Sequence, residues 1–327
     1  VKPRRPAGSG PTRRGLVRAA AGIAAAAGAG LGVGGLAEAA VDATGAGARE
    51  RGGEAAAEPF WGGHQGGIVT PAQAHSYFAA LDLQTVKRDE VVKMLRAWTA
   101  AAAHMAAGQT AAPIGQDLTV PGPDTGEAMG LPPARLTLTF GFGAGLFVKD
   151  GNDRYGLAAK RPPALVDLPR FNGDQLVETR TGGDLSVQAC ADDPQVAFHA
   201  VRQLARLAYG TAEVRWAQTG FMTQPDGEST PRNLMGFKDG TSNPSAADPK
   251  AMATLVWVGD EGHDWMRGGS YVVVRRIRVA LEHWDRMKVA FQEQTFGRQK
   301  YSGAPLGGKG EFDPLDLTAS DKDGNPV

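Results

Sequence analysis

The chain has 327 residues, 35 Lys+Arg against 35 Asp+Glu, one cysteine and 45 glycines. That length predicts two domains or one large one, and 42% hydrophobic with 7% aromatic residues excludes a disordered chain or a coiled coil. The single Cys190 excludes an internal disulfide, a CxxC redox pair and a cysteine-built zinc site, and the zero formal charge gives no general electrostatic case for nucleic-acid binding.

The charge balance is a composite. Residues 1–39 carry six basic residues and one acid, net +5, so the remainder is net −5. Thr12-Arg13-Arg14-Gly15-Leu16-Val17-Arg18 precedes an uncharged run, 19–36, and then Ala37-Glu38-Ala39. A charged start, an apolar stretch and a small-x-small site predict an export signal over 1–39, and the adjacent arginines resemble the twin-arginine pattern. This predicts an extracellular, periplasmic or cell-envelope location, with membrane contact only during export or through an uncleaved signal. The run is long enough to be weighed as a retained anchor. Its mostly Ala and Gly composition suits a cleaved signal better. The twin-arginine route carries folded proteins, often with a cofactor already loaded, so the signal itself hints at a cofactor. Residues 40–58 are mostly Gly, Ala, Glu and Arg without apolar periodicity and predict a flexible tether, and Trp61 is the first large anchor of the folded part.

The body alternates strand and helix signals. Residues 76–83 predict a strand. The apolar positions 91, 94, 95, 98, 102 and 105 predict a helix over 89–105. The Pro- and Gly-rich 108–134 predicts a long loop. Leu136, Leu138, Phe140 and Phe142 alternate with Thr137, Thr139 and Gly141, as in a half-buried strand. Another strand is predicted over 185–189, then a helix opened by Asp193-Pro194 and closed by Gly210, then a strand over 214–218. This order fits an α+β ferredoxin-like unit. Farther on, 254–258 and 271–279 predict strands and 281–286 the start of a helix, too few elements to complete a second such unit.

Between 218 and 254 lies a long stretch containing Gly236-Phe237-Lys238-Asp239-Gly240-Thr241-Ser242-Asn243-Pro244. Glycines beside one carboxylate let the backbone approach a ligand and point Asp239 into a pocket, where a carboxylate can shuttle a proton; an ordinary Asp-Gly turn is the plainer alternative. Gly141-Phe142-Gly143-Ala144-Gly145 lacks dinucleotide-binding spacing and reads as a loop or bulge. None of the six histidines (64, 75, 104, 199, 263, 283) pairs at metal-ligand spacing, so no metal site is predicted. His199, with Arg202 and Arg206, reads as solvated on the polar side of its helix. Glu282-His283-Trp284-Asp285 reads as helix surface, and Arg276 and Arg278 as a basic strand face that could meet an anionic group such as a propionate.

Taken together, these blocks resemble the dye-decolourising peroxidases, haem enzymes, and among them the exported twin-arginine subgroup with deferrochelatase-like members. The resemblance runs from Phe60 to about residue 312. It rests on Gly63-His64-Gln65-Gly66-Gly67-Ile68-Val69-Thr70-Pro71, the 136–143 strand, Gly182-Gly183-Asp184-Leu185 and onward to 208, the 236–244 loop, Trp265-Met266-Arg267-Gly268-Gly269-Ser270-Tyr271, and Gly303-Ala304-Pro305-Leu306-Gly307. Gly236-x-x-Asp239-Gly240 matches the family's G-x-x-D-G signature.

The resemblance implies two ferredoxin-like domains with antiparallel sheets, of the dimeric α+β barrel type, over 59–220 and 221–327, with haem b held mainly by the second. It implies Asp239 as distal acid–base residue and Gly240, Thr241 and Ser242 as haem-lining positions. It also implies hydrogen peroxide and small aromatic reductants as partners, no nucleic acid, and allows a homo-oligomer. A carboxylate shuttle, with an ordinary aspartate pKa of about 3.9, works where a histidine shuttle is already protonated, so an acidic optimum is expected. In the family the iron-ligating histidine and a distal arginine come after the Gly-Ala-Pro-Leu-Gly block. Here 308–327 contains neither residue type, which predicts an incomplete second domain. The alternative to a peroxidase is a non-catalytic remnant or partner-dependent half that binds haem weakly. Release of iron from haem is a variant of the first reading.

Overall fold

The computed structural model describes residues 57–327 apart from 224, 226–229, 317, 319, 321–323 and 325–327. The predicted export signal, and the tether as far as residue 56, lie outside the described residues.

The first half folds as β1 (His75–Leu83), α1 (Arg88–Ala106), β2 (Thr137–Phe142), a helical turn α2 (Ala144–Phe147), β3 (Leu185–Ala191), α3 (Pro194–Leu207) and β4 (Ala212–Phe221). The strands form one antiparallel sheet in the order β2-β3-β1-β4, the ferredoxin-like arrangement expected from the element order. In β3 burial alternates strictly along the strand, so Leu185, Val187, Ala189 and Ala191 face the core. With Ala79, Leu81 and Leu83 they meet the apolar stripes of α1 and α3, and Trp98 closes the layer by donating its indole N–H to Leu204 O at 2.8 Å. Asp193 caps α3 through its carboxylate, accepting from the N–H groups of Gln195 and Val196, and Pro194 occupies the first turn.

The Gly63–Gly67 block covers the free edge of β2. The Gln65 amide donates to Phe140 O and accepts from Phe140 N–H, so a side chain stands in for a missing strand. Gly67 has φ +89°, and a Cβ there would lie 2.5 Å from Thr139 Oγ1.

Beyond β4 the structure corrects the expected strands. Thr254 and Leu255 end a helix, α4 (Pro249–Leu255), capped by Asp248. Its Asp-Pro opening repeats the signal that starts α3. Residues 271–279 are exposed and pair with no strand among the described residues. Their β-branched residues, Val272 to Val274 with Ile277 and Val279, favour extended backbone, but a strand exists only where a neighbour takes its N–H and C=O groups. The expected second ferredoxin-like sheet is therefore not seen among the described residues. The chain beyond β4 instead builds a small helical core with α5 (Leu281–Trp284) and α6 (Val289–Phe296).

This second half docks on the first. The His64 ring stacks on Trp257 at 3.7 Å, and its Nδ1 lies 2.7 Å from Gly268 O. The Trp265 indole donates to Lys160 O and packs against Phe142 and Phe147. Two blocks some 200 residues apart in sequence, 63–67 and 265–269, thus meet in space.

Candidate active site

The 236–244 loop hangs on one buried ring. Phe237 is fully buried, stacked on Phe296 of α6 at 4.1 Å and edge-on to Trp284 of α5 at 6.2 Å. Gln292 extends this core by donating to Trp284 O and Met287 O, and accepts from Lys300 Nζ at 2.6 Å. The turn before Phe237 is fixed by Asn233, whose side-chain oxygen accepts from the N–H groups of Met235 and Phe237, and by Gly236 at φ +86°. Phe237→Leu is expected to cost about 1–2 kcal/mol through lost stacking and imperfect filling, read as a lower urea midpoint.

A second segment, 298–311, braces the loop from outside. The Arg232 guanidinium donates to the carbonyls of Gly236, Lys300 and Tyr301. Arg298 donates to Gly303 O and Glu311 O. Glu311 receives the Lys238 ammonium at 3.3 Å and the Thr241 hydroxyl at 3.1 Å. Burial pushes the Glu311 carboxyl up, but the hydrogen bonds from Thr230, Lys238 and Thr241 outweigh it and hold the group below its ordinary value. Gly303 sits at φ +79° where a Cβ would be 2.7 Å from Lys238 Cγ, so the Gly-Ala-Pro-Leu-Gly block is a close-packed brace.

Held between these supports, Asp239 points outward. Its N–H donates to Pro231 O at 2.9 Å. Its side chain is exposed and has no hydrogen bond or ion pair among the described residues. Gly240 has φ +101°, and Asn243 N–H closes the turn on Gly240 O. Ser242 is exposed, whereas Thr241 is half-buried and turned to Glu311. Of the four predicted site residues, the structure thus presents Asp239 and Ser242 to solvent and uses Thr241 as part of the brace. Glu311 was not singled out from sequence; nothing in its polar surroundings marks a partner seventy residues away.

Two family models together match nearly all of the folded part. The Dyp-type peroxidase N-terminal family matches residues 65–222 and the C-terminal family residues 230–324. A DyP-type peroxidase from Streptomyces coelicolor superposes with a TM-score of 0.72 at 41% identity, covering 83% of this chain and 71% of that one. The chain belongs to the DyP-type peroxidase family.

DtpA from Streptomyces lividans, solved among other states as the ferric protein, is similar to the same degree, with a TM-score of 0.72, 40% identity, and 83% and 71% coverage. Among curated proteins, the Deferrochelatase of Escherichia coli (strain K12) is 36% identical over 277 residues. The chain spans 64% of that relative's length, and the match takes in 83% of this chain.

DyP-type peroxidases are haem enzymes, and the 236–244 loop offers groups that would fit a haem. The loop offers an unpaired carboxylate and a glycine that lets a flat group come close to the backbone. Among the described residues no histidine is hydrogen-bonded to or stacked on 236–244. His64 is engaged with Trp257 and Gly268, and the His263 ring lies 3.2 Å from Arg161 O. His75 opens β1, His104 ends α1, and His283 lies exposed on α5, the surface position expected for it. Arg275 pairs with Asp174 over the Phe171 ring, while Arg276 and Arg278 remain exposed.

His199 corrects its expected solvation. It is buried, 4% exposed, because the 108–134 loop folds over the polar face of α3 and brings Asp124 and Glu127 to it. The Gly141–Gly145 stretch is also explained by packing. A Cβ on Gly143 would lie 2.2 Å from Gly183 O, and one on Gly145 2.0 Å from Asp184 Oδ1. A short helix, α2, does open there, but it has four residues and faces a buried carboxylate.

Proposed function

We propose that this chain serves a haem-dependent peroxidase, using haem b and hydrogen peroxide to oxidise dyes or phenolic compounds, with Asp239 as the distal proton carrier. The observation that carries the reading is a solitary exposed carboxylate on a loop braced from both sides, at the centre of the G-x-x-D-G motif. Haem, when bound, supplies the one-electron oxidations. Asp239 accepts a proton from peroxide and returns it to the departing oxygen, which leaves as water. The chain folded with added haem should turn over a phenol with peroxide, and Asp239→Ala should lose that turnover.

The exposed 271–279 segment, unpaired among the described residues, favours a second reading, a chain that takes up haem weakly by itself. A histidine-ligated Soret band after haem addition supports the first reading, and a free-haem spectrum the second. The deferrochelatase relatives support iron release from intact haem as a variant, which would appear as porphyrin fluorescence. Export by the twin-arginine route is part of the proposal. Changing Arg13 and Arg14 together to lysine should leave the protein in the cytoplasm, measured by cell fractionation.

A further inference from the structure

The His199 imidazole lies between two carboxylates, one at each ring nitrogen. Nε2 stands 3.3 Å from Asp124 Oδ2, and Nδ1 stands 3.2 Å from Glu127 Oε2. His199 projects from α3, whereas both carboxylates come from the 108–134 loop, so the ring joins the loop to the helix. The His199 side chain is 5% exposed, that of Asp124 0% and that of Glu127 16%. None of the three lies in the 236–244 loop or in the 298–311 segment that braces it.

A neutral imidazole carries one N–H and one lone pair. Whichever nitrogen holds the proton, the other turns its lone pair toward a carboxylate little more than 3 Å away, out of reach of water. Only the imidazolium, with an N–H on both nitrogens, offers a donor to each carboxylate. Nδ1 is buried and makes no aligned hydrogen bond, so what holds it against Glu127 is charge rather than hydrogen-bond direction.

The groups around the ring point the same way. Arg202, on α3, donates to Glu127 Oε1 at 3.0 Å. Arg206 directs its donors to Gly122 O, Pro123 O and the Gln203 side chain. Gln203 in turn donates to the Thr125 hydroxyl, which donates to Glu127 Oε2. Asp124 accepts from the N–H groups of Ala111 and Gly126, both at 2.7 Å, and among the described residues His199 is the one cation that pairs with it. From the α1 side, uncharged Met105, Gly108 and Gln109 line a cavity of about 180 Å³ that also touches Asp124 and His199. With the ring charged, two carboxylates meet two cations. With the ring neutral, the buried Asp124 loses its counter-charge. Burial pushes the Glu127 carboxyl up, but hydrogen bonds from Thr125, its own backbone, His199 and Arg202 bring it down to about 2, so it stays ionised wherever an imidazole can titrate.

We propose that His199 is a pH-sensitive catch for the 108–134 loop: as an imidazolium it bridges Asp124 and Glu127 and holds the loop on α3, and loss of its proton loosens the loop. The closed loop keeps the ring proton between two carboxylates and the released loop does not, so closure takes up a proton and weakens as pH rises. Loosening opens to solvent the cavity between Met105 of α1, Val196 of α3 and Met129 of the loop.

The test is hydrogen exchange on the full chain between pH 5.5 and pH 8.5, with rates corrected for the intrinsic chemistry at each pH. Peptides from 108–134 are expected to lose protection at least about tenfold as pH rises, while those from β1 and β3 keep theirs. In Glu127→Gln the fall should shrink to under about threefold, because a neutral ring can donate to Asp124 through Nε2 and accept from the new amide through Nδ1. His199→Gln should abolish it. Glu127→Gln, at the rim of the cluster, decides the matter should His199→Gln fail to fold. Equal protection of 108–134 across the range in the unsubstituted chain overturns the proposal. So does a fall of full size in Glu127→Gln, which would place the titrating group elsewhere. A fall shared equally by β1 and β3 overturns it too, because the whole chain rather than the loop would then be opening.

Discussion

Replacing Asp184 with alanine is expected to destabilise the chain by about 3–5 kcal/mol, the cost of breaking a buried charge network from its centre. Asp184 sits just before β3 with its side chain 3% exposed. Its Oδ2 accepts from Lys149 Nζ, Arg154 Nη2 and Leu83 N–H, each at 2.9 Å. Lys149 also reaches Asp82 at 3.4 Å, and Asp82 is held by Arg215 at 2.7 Å. Burial pushes the Asp82 carboxyl up, but the bonds and charges of Arg215 and Lys149 outweigh it and keep the group below its ordinary value. Removing Asp184 strips a buried backbone N–H of its acceptor and leaves two cations facing each other, in a pocket where Arg154 Nε already has no partner. At about 2–4 °C per kcal/mol, the Tm should fall by roughly 10 °C. Lys149→Met should cost distinctly less, because Asp184 keeps Arg154 and Leu83 N–H and the lysine is one-third exposed. Urea unfolding of both variants measures the contrast. A loss under about 1 kcal/mol for Asp184→Ala would mean the carboxylate is solvated and the network carries little.

The same carboxylate shows what sequence can and cannot convey. The four-stranded sheet was legible because each element carries its own signal: strict alternation in β3, helical spacing in α1, and Asp193-Pro194 opening α3. The glycines at 143 and 145 were seen but not their reason, which is contact with Gly183 O and Asp184 Oδ1 some forty residues away. In the second half, 271–279 was expected to be a strand, yet pairing depends on a neighbour that local pattern does not contain. Helix α4 was available to the same rule that found α3, since Asp248-Pro249 repeats the cap. His199 failed for a different reason. Its helix face is polar by composition, and only the path of the 108–134 loop decides whether that face meets water or two carboxylates. Asp239, by contrast, could be singled out from sequence because flanking glycines let the backbone come close to a ligand and because 236–240 matches the G-x-x-D-G signature; in the structure its carboxylate is exposed.

Glu127 gives the cluster around His199 an acid limit. Its carboxyl is held at about 2, below its ordinary 4.5, so its contribution is fully present above about pH 4.5 and is lost as pH falls toward 2. Thermal unfolding followed from pH 6 to pH 2.5 should show a steeper loss in the unsubstituted chain than in Glu127→Gln. Equal slopes would place the carboxylate outside the energetics of the loop.

The second large effect concerns turnover. Asp239→Ala is expected to lower peroxidase kcat by about 10²–10⁴-fold, the range by which a positioned acid–base group accelerates proton transfer. The loop should survive the change, because Asp239 contributes only its backbone N–H to the fold, while Phe237, Arg232 and Glu311 hold the segment. Circular dichroism and haem uptake should therefore match the unsubstituted chain while turnover falls, which separates proton transfer from folding. Asp239→Asn keeps the shape and removes the basic oxygen, so it should be nearly as slow as alanine. Asp239→Glu keeps the base on a longer arm and should recover part of the rate. The side chain's exposure adds a sharper test. A small carboxylate such as formate can enter the space left by Asp239→Ala and restore turnover in proportion to its concentration, with no effect on the unsubstituted chain. Turnover within twofold of the original in Asp239→Ala would remove this residue from the proton path and leave the G-x-x-D-G loop as a packing element.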